Sequence, residues 1–269
     1  QRQMCIRDRD LIEYADSHCH LNYDGLSDRT DEILRKMKDS NVNKALNVCT
    51  TLEESKNVLD LATKHDFIYA SVGVHPDYSE SQEPSVTDLI TRGSHRKIVA
   101  IGETGLDYFR LKGDLEWQRT RFRTHIRAAR ELNKPLIIHT RNSPEDTIKI
   151  LSEENAKEVG GVMHCFTESL EVAKKAIDMN FLISISGIVT FKKAEQVQYV
   201  AKNIDLKNLM IETDSPFLAP VPFRGKINEP SYVVHVAEKI ASLKNISVKK
   251  FAQHTTDNFI KFINYDSKL

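Results

Sequence analysis

Cysteine is scarce in this chain. Four stand in 269 residues, at positions 5, 19, 49 and 165, with no CxxC pair and no framework spacing. That argues against a disulfide-built fold and points to a reducing compartment, read here as the cytoplasm. Glycine (10) and proline (8) are too few for a collagen-like or low-complexity chain. Neither sign of charge is in excess: 38 Lys+Arg face 38 Asp+Glu, so the chain is not one that coats nucleic acid by bulk electrostatics. A local basic patch around a site stays open. Long apolar runs are missing too, and the longest nearly uninterrupted one, 181–189, is far too short to span a bilayer. No secretory signal is visible, and nothing implies a membrane or an obligate protein partner.

What remains is 40% hydrophobic and 28% charged residues, an ordinary globular composition. It is too apolar and too balanced for a disordered chain. Segment 1–10, QRQMCIRDRD, matches neither helical nor strand periodicity and reads as a non-native or disordered leader. The remainder, 11–269, contains no linker and is expected to form one domain.

Short β-rich runs alternate with amphipathic helical stretches along that domain. The runs are 14–20, 44–50, 67–74, 98–103, 135–140, 161–166, 181–186 and 208–213. Helices are expected over 28–40, 53–65, 115–133, 144–154, 169–179 and 194–203, with Thr50-x-x-Glu53 as a capping box for the second. The stretch 86–92 carries the weakest helical pattern. Two further helices, 232–243 and 248–263, follow a Pro-rich loop. Strand–helix alternation has two main solutions, an open doubly wound sheet and a closed (β/α)8 barrel. Eight units in roughly 250 residues fit the barrel. No Gly-rich phosphate loop follows the first strand, which weakens the dinucleotide-fold alternative.

The chemistry stands at the strand ends. The first ends His18-Cys19-His20, the fourth at Glu103, the fifth at His139, the sixth at His164 and the eighth at Asp214. Residues two apart on a strand share a face, so His18 and His20 point inward together and Cys19 points to the helices. Barrel active sites lie at the C-terminal strand ends, so four His and two carboxylates converge on one mouth. Imidazole with carboxylate suits Zn²⁺, Mn²⁺ or Fe²⁺. Six donors exceed what one tetrahedral catalytic ion uses and suit two ions sharing a bridging carboxylate. A single HxH would be weak ground; the specificity lies in the set.

Six segments carry a family resemblance: DSHCHL (16–21), VGVHP (72–76), IGETGLDY (101–108), PLIIHTR (135–141), HCF (164–166) and IETDSPFLAPVPFRGKINEP (211–230). The sequence resembles the TatD-type metal-dependent deoxyribonucleases, a branch of the amidohydrolase superfamily, from about residue 14 to the end. The resemblance implies a TIM-type barrel with two divalent ions per chain on His18, His20, Glu103, His139, His164 and Asp214. Glu103 would be the bridging carboxylate. It also implies a nuclease supported by Mg²⁺ or Mn²⁺, with Zn²⁺ plausible in crystals, often of 3′-to-5′ exonuclease type, acting on DNA as single strands or 3′ ends. Three positions depart from the family pattern, Asn22, Asp77 and Asn142, and none of them is a proposed ligand.

Around the metal set, Arg141 shares the parity of His139 one step higher, where a guanidinium suits a phosphate oxygen pair. A rim ion pair is the bland alternative. His75, Arg224 and Asn228 are further candidates for substrate contact, and Lys226 is balanced against a solvated turn. Glu212 and Asp107 read as supporting residues. Arg119, Arg121, Arg123, Arg127 and Arg130 spread around one helix and read as its solvated exterior; His125 reads as solvated or structural. Asp214 and Glu103 carry the hydrolytic chemistry in this reading. Hydrolysis of a small ester, lactone or amide on the same centre is the competing activity, because fold and metals do not set substrate. A non-catalytic metal-binding scaffold would be marked by a missing ligand, and none is missing.

Overall fold

The periodicity resolves into eight parallel strands that pair in chain order: β1 (Tyr14–Cys19), β2 (Val42–Asn47), β3 (Ile68–Val72), β4 (Ile98–Asp107), β5 (Leu136–Arg141), β6 (Gly161–Met163), β7 (Phe181–Ile185) and β8 (Leu209–Ile211). The computed structural model describes residues 12–264; segment 1–10, expected to be a non-native or disordered leader, lies outside them. Seven helices follow the strands from β1 to β7 in turn: α1 (Thr30–Asp39), α2 (Ser55–Lys64), α3 (Val86–Gly93), α4 (Glu116–Leu132), α5 (Pro144–Glu153), α6 (Leu170–Asp178) and α7 (Glu195–Asn203). After β8 come α8 (Val233–Lys244) and α9 (Val248–Ile263). This is the single-domain (β/α)8 barrel that the alternation implies.

The seam between β8 and β1 is closed partly by a side chain. Asp214 N donates to His18 O at 2.9 Å and His20 N to Ser215 O at 2.8 Å. Below them the buried Asp16 carboxylate accepts from Thr213 N (2.9 Å) and Thr213 Oγ1 (2.5 Å). An inner apolar cluster fills the base of the barrel, where Ile137, Val162 and Met210 meet Phe259 and Phe262 of α9. Truncating a plug of this kind, such as Phe259, to Ala costs about 3–5 kcal/mol. Alternation then dictates the layer above: two residues beyond Ile137, Val162 and Met210 stand His139, His164 and Glu212.

Strand β1 does not alternate cleanly. Ala15 belongs to the inner cluster while Cys19, four residues on, packs with the outer layer. A register irregularity between Asp16 and Cys19 switches the parity, so His18 and His20 point inward only because of it. Strand β4 runs four residues past its expected end, through a register shift between Ile101 and Thr104, and pairs Asp107 with Arg141. Gly105 permits this: a Cβ there would lie 2.0 Å from the His139 carbonyl oxygen. Strands β6 and β8 stop short of their expected ends, and the chain turns at Cys165 and Asp214 with positive φ (43° and 56°).

One expected cap is displaced. No side chain caps α2 at its N-cap, Glu54; instead Thr51 Oγ1 accepts from Glu54 N (3.3 Å) and Glu54 Oε1 from Thr51 N (3.2 Å) in the turn leading into it, one residue later than the anticipated pair. The weakly patterned third connection is a helix, opened by a reciprocal box between Ser85 and Asp88. The arginines of α4 also divide. Arg123, Arg127 and Arg130 pair with Glu153, Glu154 and Glu158 beside α5. Arg121 is buried instead and donates to the carbonyls of His75 (2.9 Å) and Tyr78 (3.0 Å), so it clamps the loop after β3 rather than facing solvent.

Candidate metal centre

Glu103, buried at the end of the first half of β4, lies at the hub. Its Oε1 is 2.9 Å from His164 Nε2, 3.1 Å from His139 Nδ1 and 3.2 Å from His75 Nε2. Its Oε2 is 3.2 Å from His18 Nε2 and 3.9 Å from His20 Nε2. Asp214 Oδ1 faces the same two imidazoles, at 3.7 and 3.4 Å. The His18 and His164 rings stack with centroids 3.8 Å apart. All six donors expected from the strand ends therefore meet in one place. Three overlapping trios have the spacing to hold an ion: His18, His20 and Glu103; His18, His164 and Asp214; and, with His75 added to the six, His75, Glu103 and His139.

The far sides of three of these imidazoles fit metal binding as well, whereas His18 Nδ1 is buried without a hydrogen-bond partner. His20 Nδ1 lies 3.0 Å from Val48 O, His139 Nε2 lies 3.2 Å from Asp107 Oδ2, and His164 Nδ1 lies 3.1 Å from Glu212 Oε1. An acceptor on the distal nitrogen fixes the tautomer and leaves the inward nitrogen with its lone pair free for a cation. Asp107 is itself anchored by the backbone amides of Phe109 and Arg110, both at 2.9 Å.

Charge in the cluster is strongly coupled. Burial alone would raise the Glu103 carboxyl, but the charges of His164, His75 and His18 outweigh it and hold it well below the usual carboxylate range. Burial likewise opposes charge on His164, yet Glu103 and Glu212 raise it well above an ordinary imidazole. His75 is pushed up to about 9: burial works against it, but the Glu103 and Asp77 carboxylates prevail. His18 goes the other way, lowered by burial and by its stacked neighbour His164.

The donors open into a cavity of about 500 Å³ walled by Tyr23, Tyr78, Phe217, Arg110 and Arg141. Arg141 lies where its parity puts it, on the mouth, with its guanidinium carbon 4.0 Å from the centroid of the exposed Phe109 ring. Arg224 is exposed on the loop after β8 and stacks on Phe191 at 4.3 Å, outside the cavity wall. Asn228 is fully buried: its amide donates to Thr213 O (2.9 Å) and Phe217 O (2.6 Å). It reaches the mouth only through the loop it ties down, which corrects its expected place among substrate contacts. The wall residues Tyr23, Tyr78 and Phe217 carried no periodic or charge signal in the sequence; only their position just past a strand end could have marked them.

The fold and this donor set define a barrel hydrolase dependent on metal. The chain belongs to the family described as TatD related DNase, which matches residues 15–264. It is 45% identical over 256 residues to the metal-dependent hydrolase YcfH of Escherichia coli (strain K12), covering 94% of this chain and 96% of that one. It is 43% identical over 244 residues to the metal-dependent hydrolase YabD of Bacillus subtilis (strain 168), covering 90% and 96%. The crystal structure of YjjV, a TatD homologue from Escherichia coli K12, superposes with a TM-score of 0.87 at 26% identity, covering 95% of this chain and 99% of that one. Among the described residues no helix is long and apolar enough to cross a membrane.

Proposed function

We propose that this metal-dependent hydrolase is a deoxyribonuclease of 3′-to-5′ exonuclease type, working with two divalent ions on His18, His20, Glu103, His139, His164 and Asp214. One observation carries the choice of a phosphodiester. Among the described residues the Arg141 guanidinium, beside the proposed metal donors, pairs with no carboxylate and lies over the Phe109 ring, 4.0 Å from its centroid. A preorganised cation without its anion, next to a hydrolytic centre, suits a substrate that brings the anion.

Mg²⁺ or Mn²⁺ bound here supplies Lewis-acid polarisation of the phosphoryl group and a lowered pKa for the attacking water. The chain's own residues do the rest. Glu103, anionic across the working pH range, offers one carboxylate oxygen to each half of the cluster. Asp214 is held below the usual carboxylate range: burial opposes this, but its bond to His20 and the charges of His164 and His18 outweigh it. It is therefore an ionised acceptor at the lip, placed to take the proton of the attacking water. Arg141 fixes the phosphate in line. Tyr23, Tyr78 and Phe217 supply flat walls on which the bases of a single strand can stack.

The test is a panel assay of the purified protein on single- and double-stranded DNA, RNA and simple neutral esters, with and without chelator. Metal-dependent release of nucleotides from DNA 3′ ends supports the reading. Turnover of neutral esters alone would replace it with hydrolysis of a small ester, lactone or amide.

A further inference from the structure

Three imidazoles surround one oxygen of Glu103 in equivalent fashion. His139, His164 and His75 each turn one ring nitrogen to Oε1 and rest the other on a carboxylate: Asp107, Glu212 and Asp77 respectively. Asp77 is anchored in turn by Arg110 Nη1 at 2.5 Å. His75 thus has the whole arrangement that its two neighbours have, down to the carboxylate that fixes its tautomer.

The inward atoms form a compact triangle. When a cation is bound, each ring keeps one proton, on Asp77 and Asp107, and His75 Nε2 and His139 Nδ1 would both turn lone pairs inward. They lie 3.2 Å apart, and 3.2 and 3.1 Å from the Glu103 oxygen. Three acceptors in such a triangle repel unless extra protons or a cation lie among them. The triangle is also the right size for an ion. Ligand bonds of about 2.0–2.1 Å set tetrahedral donors roughly 3.3–3.4 Å apart, and octahedral donors about 2.9 Å apart. The observed sides fall between the two.

We propose that His75 is itself a metal ligand, closing one ion site with His139 and Glu103, and that Asp77 is its positioning residue, held by Arg110. This assignment rests on the metal-centre part of the reading above and not on the identity of the substrate. It moves His75 from a substrate contact to the metal shell. It also gives Asp77, a departure from the family pattern, a defined task.

The test is metal binding. The metal-stripped full chain is titrated calorimetrically with Mn²⁺ and with Zn²⁺, its metal content is measured after desalting, and its visible absorption is recorded with Co²⁺. Wild type, His75→Gln, Asp77→Asn and, as reference, Arg141→Ala are compared. Folding of each metal-free variant is checked by circular dichroism. His75→Gln should weaken one of two sites by about a hundredfold or more and alter the Co²⁺ spectrum. Asp77→Asn should weaken the same site by about 10- to 100-fold. Arg141→Ala should match wild type. If both His75→Gln and Asp77→Asn bind two ions with wild-type affinity and spectrum, the assignment is overturned, whatever happens to turnover. Wild type binding two ions without cleaving DNA would sink the nuclease reading and leave this one standing. Wild type holding no ion would sink both.

Discussion

His125, buried in α4, accepts the backbone proton of Val74 on Nε2 at 2.9 Å, so the outer helix holds the strand end that carries His75 from behind. Its Nδ1 lies 2.8 Å from Arg121 O, the carbonyl one turn earlier in the same helix. The neighbouring Arg121 then reaches past it to the His75 carbonyl.

A pH prediction follows from that histidine. Burial, aided by the Arg121 charge, lowers its pKa to about 4, so it is neutral in the fold and protonates near 6.5 when unfolded. Its contribution is fully present above the unfolded value and is lost as pH falls from about 6.5 towards 4, because there the unfolded chain binds the extra proton. The full term is about 3 kcal/mol. His125→Gln keeps an acceptor for Val74 N but cannot titrate. Urea unfolding of chelator-treated proteins between pH 7 and pH 4 should show the wild type losing about 3 kcal/mol more than the variant. Parallel profiles would show that His125 is not neutral in the fold.

Glu103 lies within 4 Å of every histidine proposed as a metal donor. Glu103→Gln keeps the shape and removes the charge, so it should lower occupancy of at least one ion and cut kcat/KM by a hundredfold or more, of the order of 3 kcal/mol. Cys19→Ser is the control. Cys19 is one residue from two of the proposed ligands but faces the helix layer, with its thiol donating to Leu46 O at 3.4 Å. It should keep near-wild-type turnover. Comparable activities for the two variants would reject Glu103 as the hub.

Metal uptake should release protons. In the metal-free chain His20, His75 and His164 are all raised; burial opposes this in each, and the surrounding carboxylates overcome it. A cation must displace those protons, so affinity should climb as pH rises from about 6 to 9. Glu103 is already ionised and contributes no proton. Calorimetry in buffers of different ionisation enthalpy at pH 6.5, 7.5 and 8.5 measures the release. A metal affinity independent of pH would mean that the ions bind away from these histidines.

Much of this was legible in the sequence for a simple reason: which side chains at the strand ends face the mouth follows from alternation, and alternation survives wherever a strand is regular. His139 and His164 were readable in this way, above Ile137 and Val162. His18 and His20 were read correctly for a less secure reason, because the parity of β1 changes at an irregularity that no local pattern announces. The roles of Arg121 and Asn228 were not legible. Each does its work by hydrogen-bonding backbone carbonyls of another segment, and such partners are set by tertiary approach rather than by residue type. His75 and Asp77 stand between: the spacing of two was visible, but the meeting with His139 needs β3 and β5 brought together on the two sides of β4.

Arg141 separates the metal reading from the phosphate reading. Its partner in β4 is Asp107, which supports His139, yet its own guanidinium lies on Phe109 and touches no metal donor. A guanidinium stays protonated at any working pH and is not a ligand. Arg141→Ala should therefore leave both ions bound and the fold intact, because a surface stacking contact of this kind contributes only about 0.5–1 kcal/mol. Turnover of a phosphodiester should suffer more, by about 1.5–3 kcal/mol for a lost charge-assisted contact, which is roughly 10- to 150-fold in kcat/KM. Any turnover of an uncharged ester should fall far less. Metal content is measured first, then kcat/KM on both substrate types. Equal losses on charged and neutral substrates would reduce Arg141 to a support for the loop. Unchanged turnover on both would remove the observation on which the phosphodiester reading stands.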